Sequence, residues 1–316
     1  MSKKVLLSGI QPSGKPHIGN YFGLMKRIVE YQDEYTTYFF IADYHALTTY
    51  KNREALQQNI IDIVIDYLAI GLDPEKSIIF KQSDVSEHTE LAWIFDTVTT
   101  MSYLERAHAY KAAVATGDKE ITVGLFNYPL LMAADILLYD TAIVPTGQDQ
   151  KQHVEIARDT AEKFNNKFGE TFTLPEPKIA DIPVIPGMDG RKMSKSYGNT
   201  IPLFAEYDEI KKLVMGIVTD SSGDIPENVY AIHQLLRPEA ELKTIYEEKK
   251  GKYKELKELL IEDLEKFIAP IRDRRKVFEK DVKKALKILE EGGKKAKKVA
   301  EAKMKEVRQK IGVDVY

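Results

Sequence analysis

The chain has 316 residues and a formal net charge of −3, with 43% hydrophobic and 30% charged residues. This length and composition exclude a disordered chain and allow a sizeable core, with two domains expected. The sequence contains no cysteine, which excludes disulfides and thiolate metal sites and suits a reducing compartment. No apolar run approaches the about 18 residues of a membrane span and no signal peptide opens the chain, so we expect a cytoplasmic protein.

Positive charge is concentrated at the C-terminal end. Residues 241–316 contain 23 Lys and Arg against 16 Asp and Glu, a net charge of +7, which leaves −10 on residues 1–240. A basic C-terminal part on an acidic body indicates a polyanionic partner that contacts mainly the C-terminal part. The alternative is a solvated Lys- and Glu-rich helical bundle, which the interspersed signs support and which charge alone favours.

The first apolar run, at residues 5–7, predicts a strand that leads into a turn containing three glycines. A helical pattern of apolar residues follows at 21–29. Glycines in a strand-to-helix turn let backbone amides approach a phosphate, and the helix N-terminus favours negative charge. His17 and Asn20 add side-chain donors to this turn, although its spacing is neither the Walker loop nor GxGxxG.

Short apolar runs and longer helical patterns alternate along residues 1–185. The patterns predict strands at 37–42, 77–80 and 142–145, helices at 52–70 and 87–102, and a long amphipathic helix towards residue 168. This alternation predicts an α/β fold, a doubly wound parallel sheet with right-handed crossovers. Ligands of such sheets bind at the carboxyl ends of the strands, where the turns at 11–20 and 146–150 are expected.

The pattern changes after residue 173. Segment 173–190 contains four prolines and is predicted to be an irregular crossing. From residue 206 onward the sequence predicts only amphipathic helices, with clear segments at 239–246, 253–267, 270–290 and 293–311. We therefore expect an all-helical C-terminal domain after the α/β part.

A lysine- and serine-rich loop follows the proline-rich segment and reads GRKMSKS at 190–196. Lys192 and Lys195 can bracket a polyphosphate as mobile point charges, while Ser194 and Ser196 can add hydrogen bonds. A solvated turn, the alternative, gains nothing from Met193, whereas a loop that closes onto a nucleotide base can use it.

HIGN at 17–20, followed by KMSKS at 192–196, resembles the signature pair of class I aminoacyl-tRNA synthetases. The surrounding segments are similar to those of compact bacterial tryptophanyl-tRNA synthetases: SGIQPSGKPHIGNYFG, YPLLMAADILLYDTAIVPTGQDQKQHVEIARDTAEKFN and GRKMSKSYGN. The resemblance covers nearly the whole chain. It implies a Rossmann-like catalytic domain at 1–205 with the KMSKS loop at 192–196. It also implies a helical tRNA anticodon-binding domain at 206–316, whose last helix packs back on the catalytic domain.

The implied activity is ATP-dependent activation of L-tryptophan to tryptophanyl-adenylate and transfer to tRNA(Trp) by a homodimer. Catalysis is expected from His17, Asn20, Lys192 and Lys195, through positioning and neutralisation of phosphate charge. The residues expected to contact ATP are Gln11, Pro12, Ser13, Gly19, Asn20, Gly147, Gln148, Asp149, Val184, Lys192, Met193, Ser194, Lys195 and Ser196. Asp149 can also serve as a helix N-cap. Mg²⁺ is expected with ATP, held mainly by the phosphates, because the sequence suggests no dedicated acidic cage.

The resemblance also assigns a tryptophan site, made of Leu7, Gln11, His45, Tyr128, Met132, Asp135, Val144 and Gln150. Tyr128, Met132 and Asp135 lie on roughly one face of a predicted helix. Asp135 stands in the apolar run MAADILLY, where a carboxylate needs a partner. Its implied role is to accept the indole N–H, and the alternative is a salt bridge or a cap. Leu7 and Thr146 depart from the family's usual residues, which leaves the pocket wall open.

Three other functions remain open from the sequence. Tyrosyl-tRNA synthetases share the fold and could use an Asp on this helix for a phenol hydroxyl. Small-molecule nucleotidylyltransferases also use a His/Gly turn, and an RNA-binding paralogue could have lost activity. If tRNA is the polyanionic partner, we expect it on the basic helices around Arg272, Arg274, Arg275 and Lys276.

Overall fold

A computed structural model describes residues 3–49, 52–115, 121–179, 185–219 and 225–315, with all side chains in these ranges except those of Ala109 and Asp149. The strands are β1 (Val5–Ile10), β2 (Thr36–Ile41), β3 (Ser77–Lys81), β4 (Ile143–Thr146) and β5 (Glu176–Ile179). The helices are α1 (Ile18–Asn20), α2 (Lys26–Glu34), α3 (Asp43–Ala46), α4 (Arg53–Ile70), α5 (Glu87–Asp96), α6 (Met101–Leu104), α7 (His108–Ala115), α8 (Val123–Leu137), α9 (Lys151–Phe168), α10 (Tyr207–Met215), α11 (Glu227–His233), α12 (Glu239–Glu248), α13 (Tyr253–Lys280) and α14 (Val282–Ile311). A π-helical turn, Tyr21–Met25, joins α1 to α2.

The five strands form one parallel sheet in the order β3-β2-β1-β4-β5, which confirms the predicted doubly wound fold. Alternate residues of β2 enter two hydrophobic cores, with Phe39 in one and Phe40 in the other, so the sheet is covered on both faces. The chain turns from one side of β1 to the other when it reaches β4. Ligands of open α/β sheets bind at such a switch point, beyond the carboxyl ends of the strands.

Strand β5 corrects the prediction that segment 173–190 is wholly irregular. It pairs with β4 at the edge of the sheet, with Pro177 opposite Val144. Proline cannot donate a ladder hydrogen bond, but an edge strand needs partners on one side only. The proline-rich composition therefore hid a short edge strand.

The predicted boundaries of several helices also change. The helix expected at 87–102 is two helices, α5 and α6, separated by the residues Thr97 to Thr100, whose β-branched side chains favour helix weakly. In the C-terminal part, Pro270 lies inside the continuous helix α13 and Gly292 lies inside α14. Tertiary packing overrides local helix propensity at both positions.

Helix α14 runs past the edge strand β3. Its first half contributes Leu289 to one core and its second half contributes Met304 to the other, so it contacts the buried layers on both faces of the sheet. Gly292 lies at the crossing, where an added Cβ would stand 1.8 Å from the carbonyl oxygen of Ile79 in β3. Only glycine permits this approach of a helix backbone to a strand backbone.

Two of the arginines expected to contact tRNA are buried between α13 and the rest of the protein, so that expectation is wrong for them. Arg272 and Arg275 are 8% and 7% exposed. Nε of Arg275 donates to Asp66 of α4 at 2.6 Å, and Arg272 donates to the carbonyl oxygen of Ala205 at 2.6 Å. These side chains fix α13 to the α/β part. Charge counting from sequence does not distinguish an interior arginine from a surface one.

We expect Arg275→Ala to lower the free energy of unfolding by about 3 kcal/mol, because it leaves the buried carboxylate of Asp66 without its cation. Burial already raises the pKa of Asp66 to about 6, although Arg275 opposes the shift. The unfolded carboxyl titrates lower, so stability falls as pH rises through the folded pKa, and the deficit should be larger at pH 8 than at pH 5.5. Urea denaturation at both pH values measures it.

Lys276→Ala is the matched control for Arg275→Ala. Lys276 lies on the same helix but pairs with Glu206 at the surface, where both side chains are about half exposed. A surface pair of this kind contributes about 1 kcal/mol or less. Equal losses in the two variants would show that the buried pair has no special role.

Candidate active site

The two sequence motifs lie against each other. The backbone N–H of Ile18 donates to the carbonyl oxygen of Ile201 at 3.0 Å, and that of Leu203 donates to Pro16 at 3.0 Å. The segment that follows KMSKS is therefore hydrogen-bonded to the HIGN turn. Nζ of Lys195 also donates to the carbonyl oxygen of Ser13, at 3.0 Å.

A cavity of about 480 Å³ opens between the motifs. The residues of the predicted ATP and catalytic sets that line it are His17, Gly19, Asn20, Lys192, Met193 and Ser194. Oδ1 of Asn20 accepts the backbone N–H of His17 at 3.0 Å, which leaves the amide nitrogen as the group that can contact a phosphate. This cavity combines one lysine, Lys192, with hydroxyls and a helix N-terminus, all of which favour a polyanion.

A second cavity of about 410 Å³ lies between β1, β4 and α8. The predicted tryptophan-site residues that line it are Leu7, Gln11, His45, Tyr128, Met132, Asp135, Val144 and Gln150, which is the whole set. Three of them come from one face of α8, as the helical spacing predicts. Ile10 and Leu24 line both cavities, so the two spaces share a wall and their ligands can meet there.

Asp135 is fully buried and has several polar partners. Nε2 of Gln82 donates to Oδ1 at 2.8 Å, Nδ1 of His88 lies 2.6 Å from Oδ1, and Nε2 of His45 lies 2.8 Å from Oδ2. Burial pushes the pKa of Asp135 up, but the two histidines outweigh it and lower the pKa to about 2. Asp135 is thus an ionised acceptor, and it both has polar partners and lines the cavity.

Sequence reasoning missed two buried histidines that contact residues of the cavity wall. His88 is fully buried, and its Nε2 lies 2.8 Å from the Tyr139 hydroxyl. His153 lies 3.0 Å from the Tyr128 hydroxyl through Nε2 and 2.9 Å from Oε1 of Gln150 through Nδ1. His153 could have been identified from the sequence, because it lies one helical turn after Gln150. No residue spacing pointed to His88.

The remaining predicted ATP residues are placed as follows. Gly147 lines the second cavity with Gln11, and Gln148 is exposed in the short turn before α9. The hydroxyl oxygens of Ser194 and Ser196 lie 2.9 Å apart. Pro12 is buried and Ser13 exposed in the first turn. Val184 lies outside the described residues, as does the side chain of Asp149.

Burial, together with the nearby charge of Lys195, lowers the pKa of His17 to about 4. We expect the His17 imidazole to be neutral at pH 7, so that it offers hydrogen bonds rather than charge to a phosphate. The unfolded imidazole titrates near 6.5, so the unfolded chain binds this proton first and stability falls as pH drops from about 6.5 towards 4. NMR titration of the ring measures this pKa, and a midpoint of 6 or above contradicts the burial argument.

Comparison with known proteins places the chain in a family. The family model described as tRNA synthetases class I (W and Y) matches residues 2–306. A tryptophan–tRNA ligase of Fusobacterium nucleatum is 49% identical over 87% of this chain and 88% of its own length. A tryptophan–tRNA ligase of Campylobacter jejuni is 44% identical over 98% of this chain and 99% of its own length.

Solved structures agree with the sequence comparison. The Campylobacter jejuni tryptophanyl-tRNA synthetase complexed with ADP and tryptophan superposes with a TM-score of 0.90, at 43% identity over 98% of this chain and 99% of that one. A tyrosyl-tRNA synthetase of Archaeoglobus fulgidus, at 18% identity and a TM-score of 0.66, shares the fold. Both signature motifs border one cavity, and the family model matches residues 2–306 of the chain. This chain therefore belongs to the class I tRNA synthetases of the tryptophan and tyrosine family.

Proposed function

We propose that this protein activates L-tryptophan with ATP, forming tryptophanyl-adenylate and pyrophosphate, and then transfers tryptophan to tRNA(Trp). The observation that carries this proposal is the pair of cavities that share Ile10 and Leu24. One is apolar with an ionised carboxylate, Asp135, in its wall, and the other is bordered by the KMSKS lysine Lys192 and the HIGN turn. An amino acid and a polyphosphate can meet at the shared wall.

In the first step an oxygen of the tryptophan carboxylate attacks the α-phosphorus. The bond from this phosphorus to the oxygen bridging to the β-phosphate breaks, and pyrophosphate leaves with that electron pair. In the second step a ribose hydroxyl at the tRNA 3′ end attacks the carbonyl carbon and AMP leaves. Neither step needs a protein nucleophile, so the protein contributes position and charge neutralisation. We assign Lys192 and Lys195 to the charge on the leaving pyrophosphate, and neutral His17 to a hydrogen bond with a phosphate.

The apolar cavity fits an indole ring with one polar edge. Oδ2 of Asp135 has one close polar partner in the described part of the chain, Nε2 of His45, and a carboxylate oxygen can accept a second hydrogen bond. We assign this capacity to the indole N–H. Met132 and Val144 pack against the ring, and Tyr128 and Gln150 hold the ammonium group.

We propose that Mg²⁺ enters as part of the substrate MgATP. The described residues contain no group of three or more His, Asp or Glu side chains that could hold a metal ion. Phosphate oxygens and water are the ligands that Mg²⁺ ordinarily keeps when a protein offers few carboxylates.

We further propose that residues 1–205 form the catalytic domain and residues 206–316 bind the tRNA anticodon arm, with the activity located in the cytoplasm. Because Arg272 and Arg275 are buried, the polyanion must contact other cations. Exposed lysines line α14, namely Lys283, Lys284, Lys287, Lys294, Lys295 and Lys298. No described helix is both long enough and apolar enough to pass through a bilayer.

A homodimer is proposed from the same family membership. Trp93, Met101 and Val123 are 69%, 69% and 76% exposed, and they belong to the neighbouring helices α5, α6 and α8. Three large apolar side chains exposed on helices that contact one another offer apolar area that a second copy of the chain can cover. Light scattering on wild-type protein and Trp93→Lys tests this, since the variant should shift the molecule towards the monomer.

ATP–pyrophosphate exchange across the amino acids tests the proposed activity. Tryptophan should support exchange without tRNA, and tRNA(Trp) should then accept tryptophan. Preference for tyrosine would make the protein a tyrosyl-tRNA synthetase. Exchange supported only by another carboxylate or a nucleotide acceptor would indicate a nucleotidylyltransferase, and tRNA binding without exchange would indicate an inactive RNA-binding paralogue.

A further inference from the structure

Asn199 lies three residues after the KMSKS loop and is only 2% exposed. Every polar atom of its side chain is hydrogen-bonded. Oδ1 accepts the backbone N–H of Ser194 at 2.8 Å, and Nδ2 donates to Oδ1 of Asp189 at 2.6 Å and to the carbonyl oxygen of Lys192 at 3.2 Å. A buried amide that is fully paired in this way fixes the segments that it joins.

The backbone around this amide forms a compact loop. The carbonyl oxygen of Asn199 accepts the N–H of Met188 at 3.0 Å, and the N–H of Met193 donates to Ile185 at 2.8 Å. Gly187 leaves room for the amide, because an added Cβ there would lie 2.2 Å from Nδ2 of Asn199. Residues 187–194 therefore fold around a single side chain.

Two of the three side-chain hydrogen bonds of Asn199 go to the backbone of Lys192 and Ser194, on either side of Met193. Lys192, Met193 and Ser194 line the cavity of about 480 Å³ between the two motifs, while Asn199 does not. A lysine side chain has a long flexible stem, so its reach is useful only if its backbone is held at a fixed place. The position of the first KMSKS lysine thus depends on one amide outside the motif.

We propose that Asn199 is a positioning residue, whose side-chain amide holds the backbone of residues 192–194 where the loop presents its lysines to the polyphosphate. This inference rests on the proposed adenylation. It assigns no contact with substrate to Asn199 and predicts that the polarity of the amide matters as well as its shape.

Asp189 lies beside the amide group of Asn199. Its carboxylate accepts from Asn199 and from Nε of Arg191 at 2.7 Å, and the hydrogen bond from Asn199 is the largest of the effects that lower its pKa. In Asn199→Asp, a second carboxylate oxygen would face the first, and the carbonyl oxygen of Lys192 would lose its donor. The shape is conserved, so the change replaces the donor by a charged acceptor without altering the size of the side chain.

We therefore expect Asn199→Asp to lower the kcat of ATP–pyrophosphate exchange by about 10²-fold, since a displacement of about 1 Å in a reacting group can have this effect. Tryptophan affinity, measured by calorimetry, should change less than twofold. The affinity for inorganic pyrophosphate should fall about tenfold. The double variant Asn199→Asp with Asp189→Asn restores a donor opposite the new carboxylate and should recover about tenfold of the lost kcat.

Asn165→Asp is the matched control. Asn165 braces another loop in the same manner, accepting from Thr171 and Phe172 at 3.1 and 3.0 Å and donating to Phe172 at 2.9 Å. This variant should lower the melting temperature without changing kcat. The proposal is overturned if Asn199→Asp keeps kcat within twofold, if Asn165→Asp lowers kcat as much, or if the double variant recovers nothing.

Failure of the proposed function is distinguishable from failure of this inference. If the wild-type protein supports no exchange with any amino acid, the proposed adenylation is wrong. Pyrophosphate binding then decides about Asn199. A tenfold loss in Asn199→Asp that the double variant partly restores supports the positioning role, and unchanged binding overturns it.

Discussion

Replacing Asp135 by Asn should narrow the preference of the exchange reaction for tryptophan over phenylalanine from about 10⁴–10⁵ to about 10². The carboxylate is ionised, because its donors lower its pKa to about 2, and it can only accept hydrogen bonds. Tryptophan supplies an N–H to it. Phenylalanine supplies none and leaves buried acceptor capacity unpaired, which costs more than a difference in ring shape. An amide at this position removes the negative charge and replaces one of the two acceptor oxygens by an NH2 donor.

The measurement is kcat/KM in ATP–pyrophosphate exchange with tryptophan, phenylalanine and tyrosine. Asp43→Asn is the matched control, because Asp43 is also buried and also accepts several hydrogen bonds, from Ser83 and Tyr44, but does not line the cavity. Asp43→Asn should lower the stability of the protein and leave the preference for tryptophan over phenylalanine unchanged. If Asp135→Asn leaves the preference for tryptophan over phenylalanine unchanged, specificity comes from the cavity shape set by Leu7, Met132 and Val144.

Lys195→Ala should lower the kcat of adenylate formation by about 10³-fold and change tryptophan affinity less than twofold. The ammonium group of Lys195 donates to the carbonyl oxygen of Ser13, in the turn that precedes His17, and lies close enough to His17 to lower its pKa. From there it can meet charge that develops on the leaving pyrophosphate. Stabilisation that grows in the transition state raises kcat rather than ground-state affinity, and a lost charge clamp of this kind costs 10²–10³ or more.

Lys15→Ala is the control for Lys195→Ala, since Lys15 is an exposed lysine of the same turn but, unlike Lys195, is not a charge that lowers the pKa of His17. It should keep kcat within twofold. Single-turnover kinetics and tryptophan calorimetry separate the two effects. Equal losses of tryptophan affinity and turnover in Lys195→Ala would show that the lysine supports the site as a whole and has no special part in the chemical step.

Local periodicity predicted much of the fold and of the cavity wall. The strand-helix alternation predicted four of the five strands, three of them to within one residue and β1 three residues too short, and the helical spacing placed Tyr128, Met132 and Asp135 on one face of α8. Local patterns carry this information because burial of one face repeats with the period of the element. The resemblance to a family supplied the roles, and the structure brings the predicted tryptophan-site residues together around one cavity.

Features that depend on contacts distant in sequence could not be predicted. The partners of Asp135, including His88 and Gln82, come from other elements, and no single-sequence pattern links them. Arg272 and Arg275 look like a surface cluster in a Lys- and Glu-rich helix but are buried against α4 and residue 205. Pro270 and Gly292 break the local rule for helices and are tolerated through packing that the sequence does not display.

The crossing of α14 over β3 affects how the protein folds while the ribosome synthesises it. Folding during synthesis proceeds from the N-terminus, at about 5–20 residues per second. The edge of β3 and part of both buried layers are completed by residues 285–307, which are synthesised long after β3. The nascent chain therefore carries an exposed strand edge until residues 285–307 have been synthesised, and an exposed edge of this kind promotes aggregation. A product truncated before residue 292 would lack the part of α14 that supplies Ala296, Ala300 and Met304 to one buried layer, and it would leave the edge of β3 exposed.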